Sequence, residues 1–141
     1  MIAVSAGFLT IFGSATNIGM GYIQTLTGVS STAVGRESYP QWNVAGTANT
    51  VFGYQCMGRL SSVTTATNNV AIGNQVMQVV TSGFGNAMVG SGAAQALTTG
   101  SNNACFGYLA GNAMVANNEN TAIGNQAYAS STRSEEHTSE L

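Results

Sequence analysis

"NVAIGNQV", Asn69–Val76, and "NTAIGNQA", Asn120–Ala127, share six of eight letters and begin 51 residues apart, three times 17. The steps between them are present. "NAMVG" starts at Asn86 and "NACFG" at Asn103, while "NTVFG" at Asn49 precedes the series. Aligned on glycine, the anchors are Gly53, Gly73, Gly90, Gly107 and Gly124, with spacings of 20, 17, 17 and 17. Asn49, Asn69, Asn86, Asn103 and Asn120 stand four residues before them. A fixed period of this length marks a repeat architecture, and it outranks any local propensity.

The residue before each anchor is large: Phe52, Ile72, Val89, Phe106 and Ile123. The residue two before is apolar and usually small: Val51, Ala71, Met88, Cys105 and Ala122. Neighbours on a strand point to opposite faces, so this strand is apolar on both. Turn signals such as "TTGSNN" from Thr98 and "VANNEN" from Val115 separate the units.

Seventeen residues hold two short strands and two turns, whereas a βαβ crossover or a helix pair needs about 30 or more. The expected fold is therefore all-β: a parallel β-solenoid, or β-roll, of stacked coils of about 17 residues. The asparagines should form an amide ladder at a turn, and the glycines should allow a bend or a close backbone approach. Two apolar faces need two dry environments, and a thin roll has one interior. We assign the large row, Phe52, Ile72, Val89, Phe106 and Ile123, to the core and the small row to neighbouring chains; the reverse satisfies the same pattern. A wide monomer core taking both rows is the remaining alternative. Association of chains is the reading adopted.

The composition narrows the function. Charged residues are 6% of the chain, with no Lys and no Asp, and the net charge is −2. No basic patch marks nucleic acid. No apolar run reaches the ~18 residues needed to span a bilayer, so no membrane insertion is expected. Cys56 and Cys105 lack metal-ligand spacing; buried free thiols are expected, with a disulfide the alternative. Glu37 and Glu119 fall in different coils, and no nucleophile has a general base beside it. No enzyme activity, catalytic residue, metal site or cofactor is expected.

At the level of motif, "NTAIGNQAYAS", "NACFGYLAG" and "NTVFGYQCMG" resemble the repeats of phage tail fibres and of trimeric autotransporter adhesin heads. That resemblance spans about residues 49–132 and implies a left-handed parallel β-roll assembled as a homotrimer. It implies a structural or adhesive role in host or surface attachment, on a virion tail fibre or at the cell surface. The implied partners are further copies of the chain and a cell-surface glycan or receptor. Tyr54, Tyr108, Tyr128 and the "YPQW" stretch from Tyr39 are candidate sugar contacts, with packing at the roll's edge or at the chain–chain interface the plainer explanation. The alternative function is a monomeric β-solenoid that binds glycan or ice. An ice-binding face wants regular Thr rows, and neither the residues three before Gly nor Thr98 and Thr99 supply one. A third reading, an enzyme whose active site lies outside this segment, draws no support from these residues.

Residues 1–48 read as degenerate or irregular coils, with weak copies anchored on Gly21 and Gly35 and an irregular insertion at Tyr39–Thr47. "RSEEHTSEL", residues 133–141, breaks the period and is similar to the in-frame translation of a sequencing adaptor. That tail is expected to be unstructured, and its His137 carries no catalytic or metal-binding reading. Without it, Arg36, Glu37, Arg59 and Glu119 balance to zero.

Overall fold

The computed structural model describes residues 10–12, 15–18, 31–38, 46–57 and 65–129. Residues 39–45 of the Tyr39–Thr47 insertion, Gly21 and the tail at 133–141 lie outside them. Eight strands make one sheet in chain order: β1 (Thr10–Phe12), β2 (Ala15–Ile18), β3 (Thr32–Val34), β4 (Thr50–Tyr54), β5 (Val70–Asn74), β6 (Ala87–Val89), β7 (Ala104–Phe106) and β8 (Thr121–Ile123). β1 pairs antiparallel with β2, and every later pair is parallel. The described residues contain no helix. The chain is a parallel β-solenoid in which each turn of backbone lies on the one before.

Register carries the repeat into space. Phe52 pairs with Ile72, Ile72 with Val89, Val89 with Phe106, and Phe106 with Ile123. Stacking also extends N-terminally of Asn49, since Val34 pairs with Phe52 and Ile18 with Val34. The second of these corrects the alignment on Gly21. Ile18, not Met20, occupies the position before the anchor, so that coil runs two residues earlier than an anchor on Gly21 implies.

Each coil bends where its backbone takes positive φ. The anchor glycines have φ between 124° and 141°. Non-glycine residues take left-handed φ at three further places per coil. Gln55, Gln75, Leu109 and Gln126 lie two after the anchor; Met57, Met77, Ala94 and Tyr128 lie four after; Ala48, Asn68, Asn102 and Glu119 lie five before. A left-handed L-residue costs roughly 1–2 kcal/mol. Bonds between coils offset it: Gln75 N donates to Tyr54 O at 2.8 Å, and Leu109 N to Ser91 O at 2.9 Å.

The core reverses the assignment made from the pattern. Val51, Ala71, Met88, Cys105 and Ala122 are buried, whereas Phe52, Ile72, Phe106 and Ile123 are 42%, 38%, 41% and 71% exposed. Val89 is half-buried. The large row is therefore on the outside, and the wide common core is excluded with it. The physical reason is thickness. The interior is shared by the small row with Cys56, Val76, Ala93 and Ala110, with Met57, Met77 and Ala94, and with Val80, Leu97 and Met114. Sizes compensate across it. Ala71 shares its coil with Met77, Met88 with Ala94, and Cys105 with Gly111, where an added Cβ would meet Cys105 Sγ at 2.5 Å. An aromatic ring in every rung would overfill that layer.

Asparagine side chains close the coil beside the strand. Asn86 Nδ2 donates to Asn69 Oδ1 and to Gly100 O, both at 2.9 Å, and Asn69 makes the same pair of bonds to Asn49 Oδ1 and Gly83 O. The ladder continues through Asn103 to Asn120. It starts at Ser31, whose hydroxyl takes the asparagine's place and accepts the Asn49 N–H at 3.1 Å. These amides are buried along most of the row, and burial without such partners would be costly.

Candidate interaction surface

Among the described residues, none packs over the outer face of the sheet. On that face, residues alternate with the buried row, so Thr50, Val70, Ala87, Ala104 and Thr121 flank Phe52, Ile72, Val89, Phe106 and Ile123. With coils about 4.8 Å apart, the five large side chains form a continuous apolar strip about 19 Å long. A contiguous exposed apolar strip is a candidate interaction surface, whereas isolated exposed apolar residues are not. Its electrostatics are nearly neutral. Arg36 and Glu37 neutralise one another at 3.2 Å, and Arg36 lies over the Tyr54 ring at 5.7 Å.

The candidate tyrosines do not form one cluster. Tyr54 and Tyr108 share the row after the anchor glycine and stand three coils apart; Tyr108 is exposed, and Tyr54 is half-buried beneath Arg36. Tyr128 belongs to the row of Met57 and Met77, and its hydroxyl accepts a bond from Asn117 Nδ2 at 3.0 Å. Tyr39 lies outside the described residues. Phe84 and Val115 are further exposed apolar residues that the anchor alignment did not single out.

A second surface was legible only in part. Gln55 Nε2 donates to Glu37 Oε2 at 2.7 Å, and Gln75 and Gln78 both donate to Gln55 Oε1 at 3.2 Å. Gln95 then donates to Gln75 and Gln78. This amide network borders an open cleft of about 420 Å³ lined by Gln78, Val79, Gln95, Ala96 and Asn112. The recurrence of Gln two and five residues after the anchor was the available signal.

Among the described residues threonine stacks on threonine for one step beside the strand. Thr81 N donates to Thr98 O and Thr98 N to Val115 O, which sets two threonines and a valine in one row; Thr65 stands one row over, with Ser82 and Thr99, as the 17-residue Thr67–Phe84 bridge requires. The hydroxyls of Thr81 and Thr98 donate to carbonyls of the following coil at 3.1 and 3.0 Å. They serve the stack.

Cys56 and Cys105 are free and buried in different coils. Burial pushes both thiols up, Cys105 to about 11, while bonds to backbone partly offset the shift at Cys56. They are core residues with suppressed reactivity. Among the described residues, no three of His, Cys, Asp and Glu converge, and no helix is long and apolar enough to cross a membrane. No protein-family model matches this chain, nor does any curated protein or solved structure.

Proposed function

We propose that the chain is a structural and adhesive segment of a homotrimeric fibre, of the phage tail-fibre or bacterial surface-adhesin kind, acting by attachment without catalysis. The observation that carries this is the outward apolar strip of Phe52, Ile72, Val89, Phe106 and Ile123. Water is excluded from such a strip at about 25 cal/mol per Å² when a like surface covers it. Packing three copies around a common axis covers all three strips together and leaves no open interface. The partly exposed glutamines Gln55, Gln75 and Gln95 then face solvent or a cell-surface glycan or receptor.

Sedimentation equilibrium on the full chain tests this. The expected mass is three times that of one chain, and Phe52→Ser with Phe106→Ser should return a folded monomer. A wild-type chain that stays folded and monomeric at high concentration overturns the proposal. A second reading rests on the amide cleft at Gln78, Gln95 and Asn112: a monomeric solenoid that binds glycan. Glycan binding by a chain that sediments as a monomer would favour it.

A further inference from the structure

Two of the three outward rows carry a second period that the buried strand row lacks; the third, Thr32, Thr50, Val70, Ala87, Ala104, Thr121, does not carry it. From β3 to β8, the residue before the anchor reads Val34, Phe52, Ile72, Val89, Phe106, Ile123: one triplet, written twice. The residue after the anchor reads Arg36, Tyr54, Asn74, Ser91, Tyr108, Asn125, repeating Tyr and Asn at the same step. None of these twelve positions is buried. The inward row beside them, Ala33, Val51, Ala71, Met88, Cys105, Ala122, does not repeat in threes. A duplicated block of three coils would have copied both faces alike. The period is therefore tied to what lies opposite the outer face, and it recurs about every 14 Å along the roll axis.

We infer that this three-coil period sets the register in which the outer face packs against a second copy of the chain, parallel and coil against equivalent coil. The inference rests on the association proposed above and adds its alignment. A copy of the same chain is the partner that carries the same period. In parallel register, the two aromatic coils, Phe52 with Tyr54 and Phe106 with Tyr108, meet their counterparts, and rings pack edge to face or offset. The aliphatic and amide coils, Ile72 with Asn74 and Ile123 with Asn125, also meet their own kind. A slip of one coil sets rings against Ile and Asn. A slip of three restores the match over half the rungs, leaving the other half uncovered. Rotational symmetry about a common axis demands the unslipped register, and the triplet disfavours its nearest competitors.

The test reads register directly by disulfide trapping between differently tagged full-length chains mixed before refolding. Asn74→Cys, Ser91→Cys and Asn125→Cys place thiols on the exposed row after the anchor, while native Cys56 and Cys105 stay buried. Asn74→Cys should cross-link to itself at least tenfold more than to Ser91→Cys, one coil away. Cross-linking to Asn125→Cys, three coils away, should be the minor offset product. A second variant, Phe52→Ile with Ile72→Phe, keeps the apolar side chains but breaks the triplet; it should assemble with itself and be depleted from wild-type oligomers. Equal cross-linking at zero and one coil, free mixing of the permuted chain, or an oligomer with no cross-link on this row each overturns the register while association stands. A chain that stays monomeric removes the association as well.

Discussion

Asn86 Oδ1 receives two N–H groups from Asn103, one from its backbone and one from its side-chain amide, each at 3.0 Å. One oxygen thus holds a main chain and a side chain of the next coil at the same height. The repetition of this bond along the roll is what converts a sequence period into a stack.

Asn86→Ala deletes that acceptor and leaves Asn103 N–H groups and Gly100 O buried without partners. At about 1–3 kcal/mol for a buried group left unpaired, the loss should reach about 3–5 kcal/mol in urea unfolding. Asn120→Ala, at a half-buried end of the ladder, should cost about 1 kcal/mol. Equal losses at the two sites would contradict a ladder that depends on burial.

The contact between Gly111 and Cys105 predicts a coupled pair. Gly111→Ala drives a Cβ to 2.5 Å from Cys105 Sγ and places Ala at φ 68°. We expect a loss of about 2–4 kcal/mol from overpacking and left-handed strain. Cys105→Ala removes the sulfur, so the double variant should be more stable than the sum of the single losses by about 1 kcal/mol. Strict additivity in thermal melts would show that the sulfur and the glycine are not in conflict.

Inward and outward rows should answer differently to the same substitution. Met88→Ala empties part of the core and should cost about 2–5 kcal/mol in any state of assembly. Ile72→Ala removes a side chain already 38% exposed and should cost less than about 1 kcal/mol in the isolated chain. Its effect belongs in the mass of the assembly. Comparable losses in a monomer would place Ile72 inside.

The thiols predict a pH window. Their ordinary value is 9.0, and burial raises it in the fold, for Cys105 to about 11. Between those values the native chain holds protons that the unfolded chain has released, so stability falls as pH rises. Below pH 9 the thiols contribute their full share. Wild type should therefore lose stability from pH 9 to 11 relative to Cys56→Ala with Cys105→Ala. At pH 8, iodoacetamide should label both thiols only after unfolding. Labelling of the native chain at the rate of a free thiol would contradict their burial.

What the residues alone determined is the period and its consequences. A stack has translational symmetry along its axis, so equal spacing in the chain becomes adjacency in space. That is why the Asn and Gly rows, the parallel sheet and the shared height of Phe52, Ile72, Val89, Phe106 and Ile123 were legible from spacing. Tertiary structure alone decided which face is inside. Alternation along a strand says that Phe52 and Val51 point apart, not which points inward. Counting onward from the strand fails because left-handed residues such as Gln55 and Met57 break the strand's alternation twice within three residues. Only the closed coil brings Met77 and Leu97 to the same side as Ala71 and Met88, and the space left between them admits the small row.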